Sequence, residues 1–279
     1  MEKKPLVILI TGASSGIGLD TALEFLKKGA VVYGAARRVE LLKPIEDSGG
    51  HGLFCDVTDI KSIAKCVKEV IKKEKKIDVL VNNAGFGLGG SVEEVPLEEA
   101  KKQFDVNVFG LTEMTKAVLP YMRKQKSGRI INVSSIGGQF SSPFLGWYHA
   151  SKWCVEALSD SLRMETRPYG IKVSIIEPGL TRTDWGVITA KNIRKNSVIE
   201  DYSYNANKVA EYYEKYYVST NTKIAKPVVI AKAIIKAAYS SHPKARYRTG
   251  TFASLYVNGH KYFPTWLYDF AMRILMKTK

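Results

Sequence analysis

The sequence predicts a doubly wound α/β fold, a mostly parallel sheet of about seven strands with helices on both faces. Three observations predict it. Short Val/Ile/Leu-rich runs alternate with longer helical patterns over the first two thirds of the 279 residues. The runs are continuously apolar rather than alternating, as in strands buried on both faces. A glycine-rich turn follows the first run and opens the first helix.

The elements follow in order. PLVILI (5–10) is the first strand, and residues 17–28 are a helix closed by Gly29. AVVYGAA (30–36) is the second strand, 40–47 a short helix, and HGLFCDV holds the third strand. Residues 59–75 form a lysine-rich amphipathic helix, and IDVLV (77–81) is the fourth strand. A long helical region covers 97–126, RIINVS (129–134) is the fifth strand, 150–168 is helical, and IKVSII (171–176) is the sixth strand. Right-handed crossovers then place helices on both faces. After Pro178 the rhythm changes: 180–225 lacks a clear strand, is rich in tyrosine, and is expected to form a substrate loop or lid. Helical patterning returns at 227–240, ARYRTG (245–250) offers a last strand, and 262–279 ends in an amphipathic helix. The whole, 1–279, is expected to be one domain.

Composition narrows the class. The chain is 45% hydrophobic and 25% charged, ordinary for a soluble globular protein. Leu6–Ile10 is too short for a signal-peptide core, and no run approaches a membrane span, so a cytoplasmic location is expected. Cys55, Cys66 and Cys154 are isolated and the four histidines scattered, which argues against a disulfide framework or a structural metal site. The net charge of +15 is uneven: residues 191–279 hold 16 basic and 5 acidic residues. The positives lie singly among apolar residues without a nucleic-acid motif, so a solvated face is favoured over a nucleic-acid partner.

TGASSGIG (11–18) presents Gly12, Gly16 and Gly18, with Ser14, Ser15 and Ile17 between and beside them. Glycines there permit close backbone approach, and the helix N-terminus offers free N–H groups to a pyrophosphate. Chains that prefer NAD place an acid near the end of the second strand. Here the strand ends GAARR, with no carboxylate before Glu40. Arg37 and Arg38 suit a ribose 2′-phosphate, which favours NADP(H) over NAD(H). Asp56, with Val57 beside it, is a candidate for the adenine.

TGASSGIG, NNAG (82–85), Asn107 within FDVNVFG, Ser135 within INVSSIGG, YHASK (148–152) and EPG (177–179) resemble, in order and spacing, the short-chain dehydrogenase/reductase family. The resemblance implies a Rossmann-like fold and hydride transfer between a nicotinamide and a carbonyl or secondary alcohol. It implies catalytic roles for Asn107, Ser135, Tyr148 and Lys152, with Asn107 orienting a water that links Lys152 to solvent. It also implies that Asn83, Ala84 and Gly85 follow the adenosine. Pro178, Gly179, Thr181 and Thr183 would meet the carboxamide, although Thr181 departs from the aliphatic residue often found there.

The residues themselves agree. Lys152 lies one helical turn beyond Tyr148 on the same face. Tyrosine's ordinary pKa of about 10 is high for a base, and a nearby ammonium favours its phenolate. Ser135 is expected to hold the substrate oxygen; the competing Ser134 should face the other way, as strand neighbours do. No step needs a metal. The rival class is a non-catalytic dinucleotide-binding sensor or scaffold, which would have no need of all four catalytic residues together.

Phe140, Phe144, Trp147 and Trp185, with the tyrosines of 200–217, suggest an aromatic substrate cleft, or else packing of the core and lid. The pattern looks closest to the branch similar to 17β-hydroxysteroid and retinol dehydrogenases, which implies a lipophilic substrate. A homo-oligomer, dimer or tetramer, is also expected. The last helix puts Trp266, Leu267, Phe270, Ile274 and Leu275 largely on one side. Docking against the body or a second subunit is preferred for that side, with an anionic membrane surface as the lesser alternative.

Overall fold

The computed structural model describes residues 4–218 and 224–279. Among these residues, seven strands form one parallel sheet: β1 (Val7–Thr11), β2 (Val31–Ala36), β3 (His51–Phe54), β4 (Val79–Asn82), β5 (Gly128–Val133), β6 (Ile171–Pro178) and β7 (Arg246–Thr249). Their spatial order is β3-β2-β1-β4-β5-β6-β7, and every pairing is parallel. The chain steps outward from β1 to β3, then returns to place β4 on the other side of β1. That reversal opens a crevice at the C-terminal ends of β1 and β4, where such sheets bind ligands.

The helices are α1 (Gly16–Leu26), α2 (Lys43–Glu46), α3 (Ile60–Glu74), α4 (Leu97–Phe104), α5 (Leu111–Gln125), α6 (Gly146–Thr166), α7 (Trp185–Lys195), α8 (Glu200–Val218), α9 (Pro227–Tyr239), α10 (Ala253–Tyr262) and α11 (Thr265–Met276). The core has a layer on each sheet face. Ile8 and Ile10 of β1 join Phe25 of α1 and Ile230 and Ile234 of α9. Their neighbours Val7 and Leu9 point the other way, to Val67 of α3 and Met114 and Met122 of α5. Alternation along one strand therefore feeds both layers, and all four residues are apolar for that reason.

Several expectations need correction. The 40–47 helix is a 3₁₀ turn at Val39–Leu42 followed by the single turn of α2. The 97–126 region is broken by a π-helical turn at Asp105–Gly110. There Asn107 leaves the regular helix pattern to bond the backbone of Phe86 on both sides, Oδ1 accepting from its N–H and Nδ2 donating to its carbonyl at 3.0 Å each. The helix expected at 150–168 begins four residues earlier, so Tyr148 lies within its first turn. Within 180–225 the structure holds two helices, α7 and α8, and residues 219–223 of that expected lid lie outside the described residues. Helix α10 had no counterpart in the expectations. No helix among the described residues is long and apolar enough to cross a membrane.

Candidate active site

A cleft of about 840 Å³ lies over the C-terminal ends of the central strands. Its floor begins at the glycine turn. Gly12 holds a left-handed φ of 65°, and a Cβ there would lie 2.8 Å from the Ala84 Cα. Gly18 has another purpose. It does not line the cleft, and a Cβ on it would come within 2.3 Å of the Gly12 carbonyl. Its smallness lets α1 pack under the turn. The rest of the turn, Gly12, Ser14, Ser15, Gly16 and Ile17, faces the cleft.

The NNAG segment is tied to this turn. The buried Thr11 hydroxyl accepts from the N–H groups of Asn83 and Ala84, each at 3.1 Å. Asn83 returns its amide to the carbonyls of Thr11 and Gly12 at 3.1 and 3.0 Å. Asn83, Ala84 and Gly85 line the cleft, but the Asn83 side chain is used to hold the turn. Thr11 was missed at sequence level because a strand threonine carries no sign of its partner 72 residues away.

Both arginines ending β2, Arg37 and Arg38, reach the cleft and are exposed, and neither forms an ion pair among the described residues. Glu40 is not on the wall. Asp56 and Val57 line the cleft as well. Burial works to raise the Asp56 carboxyl, but hydrogen bonds from Thr58 and the charge of Arg37 hold it below the ordinary carboxylate range. The far wall is the loop after β6. Pro178, Gly179, Thr181 and Thr183 line the cleft, and the Thr183 side chain stands over Gly16. Thr181 is buried, its hydroxyl donating to the Gly179 carbonyl at 2.9 Å. These groups fit a phosphorylated dinucleotide. The first turn of α1 carries no acidic side chain, so its N–H groups would hold a pyrophosphate, and the two guanidinium groups would take a phosphate.

The α6 residues Tyr148 and Lys152 sit deeper, both buried. Lys152 donates from Nζ to the Val133 carbonyl at 3.0 Å. Burial lowers its pKa to about 8, with Glu156 one turn on pulling it back up. Burial raises the Tyr148 phenol to about 12, and a hydrogen bond with Ser135 works in the opposite direction. Desolvation thus outweighs the effect of a neighbouring ammonium that the YHASK spacing suggests. Ser134 and Ser135, both beyond the end of β5, line the cleft; the Ser134 hydroxyl is engaged with the Glu156 carboxyl, and strand alternation does not separate the two because neither lies within the strand. Asn107 does not line the cleft. It stands with Lys152 Nζ around Gly85 and donates to Ser151 Oγ at 3.0 Å, linking the π turn to α6.

His149 fixes the loop that carries Ser135 and Phe140. Its Nε2 accepts from the Ser142 N–H at 3.1 Å, so its Nδ1 carries the proton and donates to the Gly137 carbonyl at 2.8 Å. Burial pushes its pKa down to about 4, opposed by the Gly137 bond. The folded state therefore holds a neutral ring while the unfolded chain takes up a proton first. The stabilisation is complete above the ordinary pKa of 6.5 and is lost as pH falls toward 4. That loss is on the order of 3 kcal/mol. Urea midpoints at pH 7 and pH 4.5 should fall further for the wild type than for His149→Gln; equal falls would remove this role.

Beyond Tyr148 the cleft is aromatic. The Trp185 ring lies 5.1 Å from that of Tyr148, and Tyr213 and Tyr217 each lie 5.8 Å from Trp185. Phe140 and Trp185 line the cleft, as expected. Trp147 and Phe144 do not. Trp147 packs with Phe86, Leu88 and Val95 and edge-on to Phe104, because consecutive helix residues point about 100° apart and Tyr148 takes the inward direction. Phe144 packs against Tyr202. Tyr256, Met272 and Met276 of α10 and α11 complete the wall. Sequence reasoning missed these three; the only available signal was the i, i+4, i+8 row of Tyr268, Met272 and Met276.

Comparison with known proteins agrees with this geometry. The family described as short chain dehydrogenase matches residues 6–193. A 3-ketodihydrosphingosine reductase of Bacteroides thetaiotaomicron is 38% identical over 274 residues, covering 97% of this chain and 98% of that protein. Among solved structures, a short-chain dehydrogenase from Streptomyces avermitilis superposes with a TM-score of 0.80 at 32% identity, covering 92% and 93% of the two chains. A closed form of serine dehydrogenase complexed with NADP+ gives 0.76 at 27%, covering 88% and 94%.

Proposed function

The chain belongs to the short chain dehydrogenase family, and on that premise we propose that it is an NADPH-dependent reductase of a lipophilic ketone. It is an enzyme of the NADP(H)-linked oxidoreductase class. The observation that carries the proposal is Tyr148, buried at the junction between the dinucleotide cleft and an aromatic chamber.

Bound NADPH supplies the hydride. Ser135 holds the ketone oxygen by hydrogen bonding, and Tyr148 gives it a proton as negative charge develops there. Burial disfavours the Tyr148 phenolate, which suits proton donation to a ketone oxygen. Lys152, largely protonated at pH 7, would hold the ribose hydroxyls beside the phenol. Arg37 and Arg38 would take the 2′-phosphate, and the first turn of α1 the pyrophosphate. Asn107 acts here as the brace between Phe86 and α6, in reach of Lys152.

The chamber wall of Phe140, Trp185, Tyr213, Tyr217, Met272 and Met276 favours a long apolar substituent on the ketone. The relative named for 3-ketodihydrosphingosine reduction supports that class, and steroid and retinoid carbonyls remain within it. The test is kcat/KM for NADPH-dependent reduction. A long-chain 3-keto lipid such as 3-ketodihydrosphingosine should exceed its water-soluble short-chain analogue by more than about tenfold, given ~0.8 kcal/mol per buried methylene. Equal efficiency for the two would overturn the lipophilic assignment.

A further inference from the structure

Helix α11 has apolar residues on two opposite sides. Its inner row, Tyr268, Met272 and Met276, is buried, and the two methionines reach the cleft wall. Its outer row, Trp266, Phe270 and Ile274, is 70%, 54% and 62% exposed. Of the side expected to dock on the body or on a second subunit, Trp266, Phe270, Ile274 and Leu275 are exposed and Leu267 is half-buried; the contact with the body is made by the other row. Tyr262 and Phe263, just before α11, extend the outer row and are 70% and 52% exposed. A helix on a globular protein ordinarily hydrates the side facing away from the core.

The charge around this row identifies its partner. Lys261, Arg273 and Lys277 are exposed around it, and Asp269 is the only acid from 251 to 279. Aromatic rings interleaved with long cationic side chains match a bilayer interface, where rings sit at headgroup depth and ammonium or guanidinium groups reach the phosphates. A second copy fits less well. A two-fold contact sets a patch against itself, bringing Arg273 and Lys277 toward the same residues with one carboxylate per copy to compensate.

We propose that the outer face of α10–α11 docks this protein on an anionic lipid surface, lying in the interface plane. The inner face of the same helix would then wall the substrate cleft directly behind the contact. The docking proposal stands on the surface alone and does not depend on which ketone is reduced.

Co-sedimentation tests it, using phosphatidylcholine vesicles with and without phosphatidylserine. The protein should pellet with the anionic vesicles at low salt, and weakly with the neutral ones. Trp266→Ser/Phe270→Ser/Ile274→Ser should lower partitioning by more than tenfold while NADPH binding is retained. Arg273→Gln and Lys277→Gln should each weaken it about fivefold. No pelleting at low salt, or equal pelleting of the triple variant, would overturn the proposal. So would wild-type self-association in sedimentation velocity that the triple variant abolishes, which would assign the face to a second copy.

Discussion

Tyr148→Phe should lower kcat by about 10²–10⁴-fold, the usual worth of a positioned proton donor. The change removes one oxygen. The phenylalanine ring keeps the packing against Trp185, where the two rings are 5.1 Å apart, and leaves Lys152 bonded to Val133. NADPH affinity should therefore change by no more than roughly threefold, because the phosphates and adenine would meet groups on other elements. A variant that binds NADPH and keeps substantial turnover would show that the ketone oxygen takes its proton from elsewhere. Loss of binding together with turnover would instead make Tyr148 a structural residue.

The second large effect is expected at the end of β2. Arg37→Ala/Arg38→Ala should weaken NADPH binding on the order of a hundredfold, since each charge-assisted bond to a phosphate contributes about 1.5–3 kcal/mol. NADH carries no 2′-phosphate, so its affinity should hardly move, and the NADPH-to-NADH preference should collapse. The two side chains are exposed and make no ion pair among the described residues, so the fold has little to lose. An unchanged preference ratio, measured by fluorescence titration of both nucleotides, would place selectivity elsewhere in the cleft.

The sheet was legible because its strands are continuously apolar. Val7, Ile8, Leu9 and Ile10 serve two core layers at once, and a strand buried on both faces favours apolar residues throughout its middle. The cleft was legible where chemistry demands particular residue types at short spacing, as in TGASSGIG and in Tyr148 with Lys152. What the sequence concealed depends on long-range packing. Thr11 is an ordinary strand residue until Asn83 and Ala84 donate to it. The π turn at Asp105–Gly110 follows from the bonds between Asn107 and Phe86, 21 residues apart. Trp147 looked like a cleft residue by its place next to Tyr148, yet one step along a helix turned it into a separate cluster. The electrostatics were also hidden. The spacing of Tyr148 and Lys152 suggests an ammonium acidifying a phenol, whereas burial dominates both groups and moves them in opposite directions.

Hydride delivery to a ketone carbon beside Tyr148 is tested most directly by product labelling. The wild-type enzyme would be given a long-chain 3-keto lipid and NADPH carrying deuterium at the transferable position of its nicotinamide. The expected product is a secondary alcohol with one deuterium on the carbinol carbon, formed in step with NADPH consumption. An alcohol without the label, or NADPH left unconsumed with the 3-keto lipid and with steroid and retinoid carbonyls alike, would contradict that delivery.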